Sequence, residues 1–122
     1  MKTAGFGFRA STSLASLQDA LDRASSGTPV GQIATAADKT HHDAFLSLAA
    51  RVGVPVMAVA PEAIEAQETL TASGPSQTAR ATGSLAEAAA LAAAGPGARL
   101  LARRVVSRDR LATCAIAEEP GT

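Results

Sequence analysis

Twice near its start the chain passes from a strand-like segment, through a short polar turn carrying a cation, into a helix-like segment. These passages are Gly5-Phe6-Gly7-Phe8-Arg9-Ala10-Ser11 and Ala34-Thr35-Ala36-Ala37-Asp38-Lys39. Alternation of this kind constrains the fold strongly. Strands that feed helices pack as a largely parallel sheet with helices on its faces, and such sheets bind ligands at the carboxyl ends of their strands. The glycines permit close backbone approach, the polar residues beyond them can reach amide groups of the next helix, and Arg9 and Lys39 add donors for an anionic group.

The remaining segments extend the pattern. Residues 2–8 read as a strand, and Leu14, Leu17, Leu21 and Ala24 recur on one helical face after a Ser/Thr cluster. Gly27-Thr28-Pro29 closes that helix, and residues 30–36 form a second strand with Ile33 near its centre. Thr40 and Asp43 have the spacing of a capping box, with Asp for the usual Glu or Gln, ahead of a helix whose apolar face is Phe45, Leu48, Ala49 and Val52; Gly53 ends it. Residues 54–60 are apolar almost throughout, the pattern of a central strand covered on both faces. Pro61, Glu62 and Glu65 suit a short third helix, and residues 68–77, which lack periodicity, read as a long loop. Ser84-Leu85-Ala86-Glu87 has the form of a second capping box, with Ser84 capping an alanine-rich helix that packs on the sheet and stops at Gly95-Pro96-Gly97. Residues 98–106 and 111–117 are the last strands, and the short link Ser107-Arg108-Asp109-Arg110 makes them antiparallel neighbours. The expectation is one three-layer α/β/α domain over residues 1–118, followed by a tail at 119–122. Its sheet is mixed and mainly parallel, of about five strands, with a terminal antiparallel strand.

Composition narrows the function classes. The chain has 122 residues and no formal net charge, so nothing global favours nucleic acid or an anionic membrane. Its basic residues are nonetheless uneven, since Arg80, Arg99, Arg103, Arg104, Arg108 and Arg110 crowd the last third against only Glu87 and Asp109, until Glu118 and Glu119, and leave room for a local anionic partner. With no Trp or Tyr and only Phe6, Phe8 and Phe45, a stacking platform for bases is not expected. The lone Cys114 lies in an apolar run and reads as a buried small hydrophobe. No segment has the length of a membrane span or the form of a signal peptide, so the expected compartment is the cytoplasm. The glycines at 5 and 7 lack the third glycine of a dinucleotide fingerprint. His41 and His42 are adjacent, about 100° apart on a helix, which does not suit one metal ion. Neither a cofactor nor a metal is expected.

In order and spacing these pieces resemble the family of CobE and the C-terminal domain of CbiG, from cobalamin biosynthesis. The glycine-rich opening is matched by Gly5, Gly7, Arg9 and Ser13, and the central motif by Ile33-Ala34-Thr35-Ala36-Ala37-Asp38-Lys39. The late helix is matched by Ser84-Leu85-Ala86-Glu87-Ala88-Ala89-Ala90-Leu91, and the closing strand from Thr113 to Ala117. Two positions depart from the family pattern: Phe8 stands where a Cys is usual, and His42 where an acidic residue usually follows the Asp-Lys motif. The resemblance is to the stand-alone CobE form. It implies a protein that binds or carries a labile precorrin or corrinoid between pathway enzymes, with those enzymes as further partners. The alternatives are a lactone-opening or other ring-modifying enzyme using Glu87, Asp38 or His42 as base, and a module that binds only a partner protein. Because precorrins carry several acetate and propionate groups, the residues expected to bind one are cations, exposed amides and their neighbours. At the first turn these are Gly7, Phe8, Arg9 and Ser11, and at the second Thr35, Asp38, Lys39 and His42. The late helix adds Thr82, Gly83, Ser84 and Glu87, with Arg80 just ahead of it.

Overall fold

The computed structural model describes residues 2–64, 82–95 and 97–119, with the backbone alone for residues 82–84. Strand β1 (Lys2–Phe8) leads to helix α1 (Leu14–Ser25), and β2 (Gln32–Ala36) leads through a 3₁₀ turn (Ala37–Lys39) to α2 (Asp43–Val52). There follow β3 (Val56–Val59), a helical turn at residues 61–64, α3 (Thr82–Ala94), β4 (Arg99–Val106) and β5 (Ala112–Glu118). Pro61 takes the first helical position, where its missing N–H costs nothing; Glu65, Arg80 and the loop expected at residues 68–77 lie outside the described residues.

The five strands form one sheet in the order β3-β2-β1-β5-β4. β1, β2 and β3 are parallel, and β5 runs antiparallel to both its neighbours, β1 and β4. Four strands thus share one direction and the last in sequence opposes them, which is the expected mixed sheet. That opposing strand is interior, because β4 pairs on its outer side. The reading of residues 54–60 as a central strand needs correction: among the described residues β3 is an edge, with Met57 and Ala58 exposed. Its apolar run reflects packing at both ends, where Val56 joins the α1/α2 core and Val59 the α3 core.

Alternation along β1 divides the domain into three layers. Ala4, Phe6 and Phe8 face α1 and α2, and with Leu17, Leu21, Ile33, Phe45, Leu48, Cys114 and Ile116 they form the larger core. Phe45 meets Phe6 edge-on at 5.8 Å between centroids and stacks on Phe8 at 5.7 Å. Cys114 is fully buried here, and burial pushes its thiol pKa well up, so it behaves as the small hydrophobe expected. The other face is thin. A Cβ built on Gly5 would stand 2.8 Å from the Cα of Ala90, and closer still to the Ala86 carbonyl oxygen and the Ala90 amide nitrogen. Only glycine lets α3 lie this close, and Ala86, Ala89 and Ala90 are completely buried beside it.

The seating of α3 also sets its direction. Gly5 lies under Ala86 and Ala90, while Gln32 at the start of β2 donates a 3.2 Å hydrogen bond to the Ala93 carbonyl. The helix therefore runs against β1 and β2, and its first turn points toward their carboxyl ends. Both capping boxes need correction. α3 already begins at Thr82, which puts Ser84 inside the helix, and Glu87 turns away to accept from the Arg104 amide at 3.1 Å. At α2 the N-cap is His42, whose Nδ1 accepts from the Ala44 amide, while Thr40 closes the preceding 3₁₀ turn by donating to the Ala37 carbonyl. α1 is capped by Ser13 and α2 ends at Gly53 in the left-handed region.

The β4–β5 turn is tied to α1 by acidic side chains. Asp109 accepts from Ser107 Oγ, from Ser16 Oγ and from the Leu111 amide, in that order of effect on its carboxyl, which is held below the usual carboxylate range. Asp19 is lowered likewise, chiefly by the Arg108 amide at 2.7 Å and also by Arg23. Two outcomes follow from this packing. Gly5→Ala should cost about 3 kcal/mol, because the clash is with backbone that can yield only if the whole helix lifts; urea unfolding of the variant measures it. Asp109→Asn should lower stability near neutral pH. Since its folded pKa is depressed, the wild-type advantage exists above about pH 4 and shrinks as pH falls, so urea midpoints of the two proteins should converge in acid.

Candidate functional site

At the carboxyl ends of β1 and β2 the two polar turns meet. The Lys39 ammonium donates to the Phe8 carbonyl at 3.3 Å, in the peptide unit that links Phe8 to Arg9, and lies 5.5 Å from the centre of the Phe8 ring. One of its three donors is spent and two remain. Arg9 and Ser11 are exposed on the adjoining turn, which is closed by a hydrogen bond from the Thr12 amide to the Arg9 carbonyl. Asp38 is exposed beside them. Two cations therefore stand at one strand end, joined through a single peptide unit.

His42 fastens this rim. Its Nε2 is 2.8 Å from the Ala10 carbonyl while its Nδ1 caps α2, so the hydrogen-bond pattern requires the proton on Nε2. Its ring meets Phe8 edge-on at 5.3 Å. The two departures from the family pattern are thus in mutual contact. With both nitrogens bound to backbone, His42 has no lone pair to offer as a base. Glu87, the second candidate base, accepts from the Arg104 amide through one of its two carboxylate oxygens.

The expected residues are only partly brought together. Phe8, Arg9, Ser11, Asp38, Lys39 and His42 gather at the rim. Thr35 is completely buried and donates to the Phe6 carbonyl at 2.8 Å, and the buried Gly7 carbonyl accepts from Thr113, so both shape the strand ends from inside. The backbone of Thr82, Gly83 and Ser84 starts α3 at the same end of the sheet but over the opposite face from Phe8. Glu87 is elsewhere: its partner strand β4 lies beyond β5 and β1 from β2, roughly 14 Å across at ordinary strand spacing. Sequence reasoning missed Thr12. Its hydroxyl is the buried side-chain polar atom left without a hydrogen-bond partner among the described residues, and it sits in the turn that carries Arg9. A buried hydroxyl at a rim draws a water or a ligand group. Among the described residues no cluster of His, Cys, Asp or Glu has the form of a metal site, and no helix is long and apolar enough to cross a membrane.

Comparison with known proteins agrees over the whole domain. The model of the family described as cobalamin synthesis G C-terminus matches residues 3–117. A crystal structure of the cobalamin biosynthesis protein chiG from Agrobacterium tumefaciens is 33% identical, with a TM-score of 0.79, covering 99% of this chain and 100% of that one. The structure of CobE, a protein from the cobalamin (vitamin B12) biosynthetic pathway, is 32% identical with a TM-score of 0.77, covering 96% of this chain and 89% of that one. A cobalamin biosynthesis protein G homolog from Sulfolobus solfataricus shares the fold at 21% identity and a TM-score of 0.72, over 98% of this chain and 37% of its own. No curated protein sequence matches.

The double role of His42 predicts a graded response to substitution. His42→Ala should lose both the cap and the Ala10 tether and cost about 1 to 2 kcal/mol. His42→Asn, which can still cap, should recover part of that loss in thermal unfolding.

Proposed function

This chain belongs to the cobalamin synthesis G C-terminal family, and from that premise we propose that it binds a precorrin or corrinoid intermediate and holds it between enzymes of cobalamin biosynthesis. The observation that carries the reading is the cationic rim, where Arg9 is exposed and Lys39 is held one peptide unit away. Carboxylates on the ligand would take the free donors of both, because charge-assisted hydrogen bonds are the strong ones. The first turn of α3, at the same end of the sheet but over its other face, would add backbone amides. The apolar body of such a ligand would lie along the rim beside the half-buried His42.

Binding is favoured over turnover because His42 is engaged by backbone at both nitrogens and Glu87 lies away from the rim, beside β4. Asp38 is left exposed to solvent. A precorrin turned over by the isolated protein would reverse this ranking, and failure to bind any corrinoid would favour a partner-binding module.

Replacing Arg9 and Lys39 together by Ala should lower affinity for hydrogenobyrinic acid by at least about tenfold, since each lost charge-assisted bond is worth about 1.5 to 3 kcal/mol. Wild-type binding should also weaken as salt rises. Titration followed by visible absorption, with circular dichroism to verify the fold, provides the measurement. Equal affinities at low and moderate salt would show that these cations are ordinary surface charges.

A further inference from the structure

Strand β4 does not alternate. Leu100 packs with Ala90, Leu91 and Ala117 on the α3 side, whereas Ala102 and Val105 both pack into the α1/α2 core. The pairing explains this. Leu100 stands opposite Ala117 and Ala102 opposite Ile116, so Leu101 is an extra residue; Val105 stands opposite Cys114, which leaves both Arg103 and Arg104 across from Ala115. In a regular strand adjacent side chains point to opposite faces, but a bulge places two residues against one and re-aims them. Arg103 and Arg104 accordingly line the same groove, between β4 and α3.

The groove has the features of a small-molecule site. Its volume is about 470 Å³, and among the described residues its lining is Glu87, Leu100, Arg103 and Arg104. Glu87 bonds to the Arg104 backbone amide. Among the described residues neither guanidinium has a carboxylate within ion-pair distance. Two guanidinium groups lining one groove suit two acid groups, and Leu100 together with the volume suits an organic body rather than an inorganic ion.

We infer that this groove is a second binding site, separate from the rim at Arg9 and Lys39, for an organic polycarboxylate with at least two acid groups on an apolar frame. Glu87 holds the bulge in place through the Arg104 amide and sets an upper limit on affinity by adding a negative charge to the lining. A purely structural role for this acid would predict nothing about ligand affinity.

The test uses benzenehexacarboxylate as probe, followed by ¹H–¹⁵N correlation spectra of the whole chain. The probe should shift the amides of Leu100, Arg103 and Arg104. Arg103→Gln combined with Arg104→Gln should weaken it by about tenfold or more, and Glu87→Gln, whose amide oxygen can still accept from Arg104, should tighten it severalfold. Absence of those shifts, an unchanged affinity in the double variant, weaker binding in Glu87→Gln, or equally tight binding of inorganic phosphate would each overturn the assignment. Because the probe is not a corrinoid, the result is independent of the function proposed above. In the parallel titration with hydrogenobyrinic acid, itself a polycarboxylate, Arg9→Ala/Lys39→Ala reports on the rim and Arg103→Gln/Arg104→Gln on the groove.

Discussion

The absence of a side chain at Gly5 governs the arrangement of everything on the α3 face. Helix backbone approaches strand backbone there more closely than any Cβ would permit, and the surrounding positions answer with alanine: Ala86, Ala89 and Ala90 on the helix, Ala34 and Ala117 on the neighbouring strands. Packing this thin buries little apolar area per residue, so the stabilisation must come from many close dispersion contacts instead. The opposite face is built differently. Phe6, Phe8 and Phe45 form an aromatic cluster with Leu17 and Leu48, and aromatic pairs of this geometry add about 0.5 to 1.5 kcal/mol beyond their area. One sheet therefore carries a thick layer that supplies most of the hydrophobic burial and a thin layer that fixes the exact height of a helix.

That height shapes both flanks of α3. Toward β1 and β2 it brings the helix start to the level of the strand ends, where Lys39 and Arg9 project. Toward β4 it leaves a trough that a bulkier helix would fill, and Glu87 spans it to reach the Arg104 amide. The Arg104 amide is available because the bulge has taken it out of the ladder with β5. Strand irregularity and helix seating thus depend on each other.

Much of the architecture was legible because it rests on local periodicity. The 3.6-residue spacing of Leu17, Leu21 and Ala24, the strand-turn-helix order and the short link before Leu111 each encode one element or one pairing, and the structure has them all. What failed depended on competition between neighbours. Thr40 and Ser84 each had good capping chemistry, yet whether a residue caps is decided by where the helix begins, and a preceding 3₁₀ turn or two extra helical residues suffices to move it. The edge position of β3 was hidden for a similar reason, since an apolar run reports burial and not pairing. For the site, residue type revealed the cations at the rim but not that Thr35 faces inward or that Glu87 faces the far flank; those follow from strand register and helix phase.

The bulges in β4 show why the second cationic feature could not be read in advance. Leu100-Leu101-Ala102-Arg103-Arg104-Val105-Val106 read with a period of two assigns one arginine to each face, which would leave single, solvated surface charges of little consequence. Counted against β5, the same residues fall into pairs, Leu101 with Ala102 on one side and Arg103 with Arg104 on the other. The pairing keeps apolar residues over the α1/α2 core while concentrating charge on the α3 side. An edge strand also needs protection against pairing with other chains, and a bulged, arginine-bearing edge supplies it. The same distortion that guards the edge therefore gathers the positive charge in the groove beside α3.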